Sequence, residues 1–235
     1  MGIKPITSRH EQGPGQNEIE FDKCGALACA DNITTLKAVV STVADRNGLY
    51  ASFMPKPLES HSGSGMQINV GLYQGGKNLL AEENFNDTAQ SFIAGILNEI
   101  SRITLFLNPH QNSYKRLGYF KAPKYVSWST KNVWQLLRLC WDMGENSQIT
   151  LRSCDMLCNP YLAFALLINA GIEGVKNGVK LQQPTDCKIT DEFAEANGLK
   201  ELPNSLAEAA EFAQSSEFVK NTLPQRLINA YLAAI

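Results

Sequence analysis

The residue types in this chain that bear most directly on chemistry are Gly63-Ser64-Gly65, Lys56 and a set of carboxylates near the N-terminus. The glycines lie within Phe53–Val70 (FMPKPLESHSGSGMQINV), which reads as strand, glycine-containing loop, strand. Gly63 and Gly65 are free to take positive φ and to bring backbone N–H groups close to an anion. Lys56, seven residues before Gly63, supplies local positive charge. On its own a G-S-G loop reads first as a tight turn. Upstream, Glu11, Glu18 and Glu20 flank the turn Gly13-Pro14-Gly15. In a strand, residues of equal parity share a face, so Glu18 and Glu20 point the same way. Glu11 reaches that face only because the turn bends the chain. Taken alone, these acids and the pair Lys115-Arg116 read as solvated surface charge.

The elements that must position these residues are legible from periodicity. Residues 8–21 alternate loosely around the Pro14-Gly15 turn. Asp31–Asn47 is an amphipathic helix with Ile33, Leu36, Val40 and Val43 on one face. Asp31 is its N-cap and Gly48 its stop. Tyr50–Met54 and Met66–Leu72 read as strands, Gln74–Asn86 as a loop or hairpin, and Thr88–Ile100 as a second helix capped by Asp87 or Thr88. Asn108–Leu117 is irregular and Gly118–Lys124 a mobile loop. Tyr125–Thr130, Val133–Leu139 and Gln148–Arg152 are strands, the last two joined by the turn Asp142–Ser147. Asn159–Val175 is a buried helix with Asn159 as cap and Pro160 at the first position, where a missing N–H costs nothing. Lys176–Asp191 is a linker, Leu202–Gln214 a helix with the capping box Ser205-x-x-Glu208, and Leu223–Ile235 a terminal helix.

Composition narrows the function classes. At 235 residues and 44% apolar, the chain can bury a sizeable core. A net charge of −2, without a basic block, points away from nucleic acid. No apolar run approaches the roughly 18 residues of a membrane span, and the polar first 20 residues predict no signal peptide. The six cysteines are expected as reduced thiols, and Cys154-x₃-Cys158 is a poor zinc half-site. His10, His61 and His110 are the only histidines.

The motif KPLxxxxGSGM, from Lys56 to Met66, resembles the nucleotide-binding signature of glutamine synthetases. Four other stretches resemble that family in the same order: HEQGPGQNEIEF (10–21), NPHQNSYKRL (108–117), SWSTKN (127–132) and NPYLAF (159–164). The resemblance implies an α+β catalytic-domain core, a curved, mainly antiparallel sheet with helices on its outer face. It implies ATP-dependent joining of ammonia to glutamate through γ-glutamyl phosphate, with Mg²⁺ or Mn²⁺. Glu11 and Glu18 match two glutamates seven apart that bind a divalent cation, and hard cations take oxygen ligands. Lys56, Gly65, Asn69 and Arg138 fall on the nucleotide side. Gly63, Arg116 and Arg152 fall at glutamate-binding positions, where a planar guanidinium matches a carboxylate.

Departures from the family concentrate on the chemistry. Gln67 stands at a histidine metal ligand, and Asn69 at a position near the ATP phosphates that is often histidine. Lys121 replaces the loop glutamate that closes the site and handles the ammonium proton. Val133 stands at one of two phosphate-facing arginines, leaving Arg138, which keeps a catalytic role by resemblance. In the run Gln148–Arg152 the glutamate-binding Arg152 survives, while the metal carboxylate has become Thr150. By resemblance the whole chain, 1–235, is a C-terminal catalytic-like domain that starts after the family's N-terminal domain and after a strand bearing two further metal glutamates. Two of the family's five metal carboxylates remain, so weak metal occupancy is expected. Losing a general base costs about 10²–10⁴ in rate, and losing a charge-stabilising donor about 10²–10³. The expectation is a cytoplasmic homologue with ligase activity impaired or lost, forming at most a small homo-oligomer rather than a dodecamer. The alternatives are a glutamate- or nucleotide-binding regulatory module, a divergent γ-glutamyl-amine ligase, and a fragment of a longer active enzyme.

Overall fold

The computed structural model describes residues 2–141, 144–233 and 235. The chain opens with an antiparallel hairpin, β1 (Pro5–His10) and β2 (Asn17–Phe21), that forms a sheet of its own. Gly15, at φ +67°, turns it. The parity argument holds, for Glu18 and Glu20 are both half-buried while Asn17 and Ile19 lie outward.

Helix α1 runs from Ala26 to Arg46, five residues earlier than the expected start. Its N-cap is Gly25, without a side-chain bond. Asp31 cannot serve as cap because it lies inside the helix and accepts a hydrogen bond from Tyr161 Oη at 2.6 Å. Gly48, at φ +68°, ends the helix as expected. Only Ala30 and Ile33 are buried, and Val43 stays exposed.

The expected strand Tyr50–Met54 does not form. Its residues have β propensity but pair with no strand among the described residues, and Pro55 and Pro57 remove donors just beyond it. Met66–Leu72 contributes the shorter β3 (Ile68–Val70). A small hairpin, β4 (Tyr73–Gln74) and β5 (Lys77–Asn78), and a 3₁₀ turn at Glu82–Asn84 fill the next loop. Helix α2 spans Asp87–Leu107, longer than predicted, and is capped by Asn86, whose side chain accepts from the Ala89 N–H at 3.1 Å. A single turn, α3 (Gln111–Tyr114), interrupts the segment read as irregular.

Strand β6 keeps only Trp128–Ser129 of the predicted Tyr125–Thr130, with Tyr125 in an isolated bridge to Glu201. Strand β7 is Leu137–Cys140 and β8 is Gln148–Leu151. Asp142, in the turn predicted between them, lies outside the described residues; Gly144–Asn146 is a 3₁₀ turn. The sheet order is β3-β8-β7-β6, antiparallel except for the β6–β7 pair. Helix α4 (Pro160–Lys176) carries the predicted Asn159 cap. The linker ends in α5 (Asp191–Ala196), which the periodicity did not reveal. The C-terminal part is α6 (Leu206–Ser215), α7 (Glu217–Thr222) and α8 (Gln225–Leu232).

The core lies between one face of the sheet (Ile68, Leu137, Leu139, Ile149, Leu151) and helices α2 and α4. The two helices meet backbone to backbone. A Cβ on Gly95 would lie 2.7 Å from the Gly174 Cα, and one on Gly171 would enter the Phe92 ring. Glycine here is required by close approach, not by dihedral freedom. Among the described residues, no helix is long and apolar enough to cross a membrane.

Candidate functional site

Because β3, β7 and β8 bury one face, their alternate side chains collect on the other. The register pairs Asn69 with Thr150 and Thr150 with Arg138, and Gln67 and Arg152 extend the β3–β8 pairing by one residue. Four of these positions come into direct contact. Thr150 Oγ1 donates to Asn69 Oδ1 at 2.7 Å, and Arg152 Nη1 donates to Gln67 Oε1 at 3.3 Å.

The carboxylate hairpin stands beside this face. Arg9 grips Glu18 with both arms of its guanidinium, Nε to Oε2 at 3.2 Å and Nη2 to Oε1 at 2.9 Å, and lies 3.9 Å from Glu11. Burial works to raise the Glu18 carboxyl, yet hydrogen bonds from Arg9 and Glu11 and the charges of Arg9 and Arg152 hold it below the ordinary value. Arg152 is pushed down by burial and by the Arg138 charge, with Glu18 among the groups that oppose this. Glu11, Glu18, Gln67 and Arg152 therefore share one electrostatic neighbourhood.

Gln16 ties the hairpin to the glycine loop. Its Nε2 donates to the Gly63 carbonyl and to Ser64 Oγ, both at 3.0 Å. Its Oε1 accepts from the Gly13 N–H at 2.9 Å and from Ser62 Oγ at 3.0 Å. The glycines themselves do not work as the sequence suggested, since neither Gly63 nor Gly65 has positive φ. They make room for Arg116. A Cβ on Gly63 would lie 2.6 Å from Arg116 Cγ, and one on Gly65 2.8 Å from Arg116 Nη1.

Arg116 is not a solvated base. It is buried, its Nη2 donates to the Ser153 carbonyl and, at 3.0 Å, to the Cys154 carbonyl. Burial pushes its guanidinium down from the ordinary value, and the buried Asp155 carboxylate opposes this. Asp155 is held by Asn108 Nδ2 at 2.9 Å and by the Leu157 N–H at 2.9 Å.

Lys56 is also buried. Its Nζ donates to the His61 carbonyl and sits 4.6 Å from the centre of the Phe120 ring. Its backbone is bracketed by Asn112, whose Oδ1 accepts from the Lys56 N–H at 2.7 Å and whose Nδ2 donates to its carbonyl at 3.0 Å. Lys56 thus pins the glycine loop to the 118–124 loop, which is closed by a Gly118 N–H to Pro123 carbonyl bond of 3.1 Å. Lys121 is exposed on that loop, and Val133 lies half-buried in the turn before β7.

Three arginines carry unused donors. The Nε atoms of Arg116, Arg138 and Arg152 are buried without a partner among the described residues. Buried donors of this kind are normally satisfied, and these three meet no acceptor among the described residues.

The model of the glutamine synthetase catalytic domain matches residues 1–234. The chain belongs to that family. Glutamine synthetase of Methanosarcina mazei is 42% identical over 243 residues, spanning 100% of this chain and 54% of the relative. That of Clostridium saccharobutylicum is 41% identical, spanning 99% of this chain and 54% of the relative. The chain therefore spans about half the length of these glutamine synthetases. Among solved structures, GmaS in complex with ADP superposes with a TM-score of 0.84 at 27% identity, over 99% of this chain and 57% of that chain. GmaS without ligand gives 0.83 at 28% identity.

The glutamine synthetase family implies a divalent metal. The residues present do not fit one as they stand. Glu18 is held by Arg9, Gln67 by Arg152 and Thr150 by Asn69. Among the described residues no three His, Cys, Asp or Glu side chains converge to hold an ion. Residue type alone does not mark Arg9, Gln16, Asn112 or Asp155 as part of a site. Gln16 and Asn112 lie inside HEQGPGQNEIEF and NPHQNSYKRL, and the one signal for Arg9 is its place two residues before Glu11.

Proposed function

We propose that this chain is a glutamine synthetase homologue that keeps the anion-binding side of the family's site and has lost the metal side. The parent reaction is ATP-dependent ligation of ammonia to glutamate through γ-glutamyl phosphate. In this chain that activity is impaired or lost. The observation that carries the reading is the engagement of the metal-side positions by internal partners, Arg9–Glu18, Arg152–Gln67 and Asn69–Thr150. A lysine at Lys121 adds to it, because an ammonium group repels ammonium and cannot act as a carboxylate base. The test is phosphate release by the purified chain with ATP, glutamate and ammonia. Release at a rate typical of an intact ligase would overturn the reading.

A second reading, a glutamate- or nucleotide-binding regulatory module, is supported by the buried, unpartnered Nε atoms of Arg116, Arg138 and Arg152. In it Arg116 and Arg152, with Gly63, take a carboxylate, and Arg138, with Lys56, Gly65 and Asn69, faces a phosphate. That GmaS has been solved with ADP supports trying a nucleotide first. Calorimetry with glutamate, ADP and ATP reads the outcome, and no heat with any of them sinks this version. The half-length match supports a further arrangement, in which missing donors come from additional polypeptide. The reading carries a cytoplasmic location and a small homo-oligomer, and light scattering after size exclusion tests the mass.

A further inference from the structure

The Glu11–Glu18 pair has a resident counter-charge. We infer that the Arg9 guanidinium, with Arg152 behind it, takes the electrostatic place that a divalent cation would need, so that this carboxylate pair is closed to metal by the chain itself. The inference rests on the reading that the metal side of the site is lost, and it names the residue responsible.

The argument starts from charge. Glu11 and Glu18 contribute two negative charges, and Arg9 and Arg152 contribute two positive ones to the same neighbourhood. A divalent ion entering this neutral cluster gains little unless a guanidinium leaves. Geometry makes Arg9 the group that must move. Both Glu18 oxygens are engaged by Arg9, at 3.2 and 2.9 Å, so an ion must compete with the guanidinium at each. The bidentate fork matches a carboxylate better than an ammonium would. The contact is built by the fold, because Arg9 and Glu18 are paired directly across the hairpin. The hairpin in turn is fixed by the four hydrogen bonds of Gln16. Arg9 is also more than half exposed, so it can swing out when removed from its partner without leaving a hole in the core.

The experiment is a titration with Mn²⁺ alone, followed by loss of the free-ion electron paramagnetic resonance signal. Wild type, Arg9→Gln, Arg9→Lys and the double variant Arg9→Gln with Glu18→Gln are compared, and circular dichroism checks that each is folded. Arg9→Gln is expected to bind Mn²⁺ about tenfold more tightly than wild type, since a like charge at about 4 Å is removed from a partly exposed site. Arg9→Lys is expected to gain less, and the double variant to lose the gain. Equal titration of wild type and Arg9→Gln overturns the inference, as does tight binding that survives in the double variant. If Arg9→Gln fails to fold, Arg9→Lys against wild type decides by the same criterion. Because Mn²⁺ binding is read without turnover, an active ligase would sink the proposed function, whereas equal titrations would sink this inference alone.

Discussion

Gly65 lies so close to Arg116 that a Cβ on the glycine would sit 2.8 Å from the guanidinium Nη1. Gly63 is tighter still, with Pro55's carbonyl oxygen 2.5 Å from where its Cβ would be. The backbone cannot yield as a side chain can. Gly63→Ala is expected to cost about 1–3 kcal/mol through overpacking, lowering Tm by roughly 2–4 °C for each kcal/mol. Gly65→Ala is expected to affect the melt less and carboxylate binding more, because it displaces Arg116. Thermal melts and glutamate calorimetry on both variants check the contrast.

Arg116→Lys should behave as a severe change. Both bonds to the Ser153 and Cys154 carbonyls come from Nη2, and lysine, which keeps the charge, ends one atom short of that position. Leaving a buried carbonyl unpaired costs about 1–3 kcal/mol. The expected result is a lower Tm by chemical or thermal melting, and a substitution as mild as wild type would refute the bracing role.

Gln16→Ala removes the three bonds between the hairpin turn and the glycine loop, and the one from the Gly13 N–H inside the turn. The core does not depend on them, so the global melt should fall little. Local opening should increase instead. Amide hydrogen exchange is expected to quicken by about tenfold or more at Gly13 and Ser64, with the α2 and α4 amides unchanged. Quickening spread evenly over the chain would argue against a local latch.

Much of the scaffold was legible because it rests on local rules. Asn159 and Pro160 announced α4, Ser205 announced α6, and the alternation in Gln148–Leu151 announced β8. What stayed hidden depends on partners distant in sequence. Tyr50–Met54 looks like a strand but finds no ladder, and Asp31 looks like a cap but is drawn to Tyr161. At the site, several of the residues come together, through contacts that residue type does not announce. Gly63 and Gly65 make space and do not take positive φ, and Lys56 and Arg116 are buried against backbone carbonyls where a solvated pair would be expected. Nothing local marks Arg9, a surface arginine, as the partner of a carboxylate nine residues on.

Cys29 offers a pH prediction. Burial, together with the charge and hydrogen bond of neighbouring Cys24, pushes its thiol up to about 11. A raised thiol pKa leaves the reactive thiolate scarce below that pH, about one part in a thousand at pH 8. The exposed Cys24 and Cys187 should therefore be alkylated first by iodoacetamide. Modification of Cys29 should rise nearly tenfold per pH unit toward pH 11, read by peptide mass spectrometry on folded protein. Labelling of Cys29 at pH 8 as fast as Cys24 would contradict this.

The glycine seam between α2 and α4 has a consequence well away from itself. With Gly95 and Gly174 in backbone contact, the spacing of the two helices is gauged by peptide planes, which do not repack. The carbonyls of Ser153 and Cys154, which grip Arg116, lie a few residues before α4 begins. Bulk introduced at the seam would tilt α4 and carry those carbonyls with it. Damage deep in the core would then surface as a misaligned guanidinium before it surfaced as an unfolded chain.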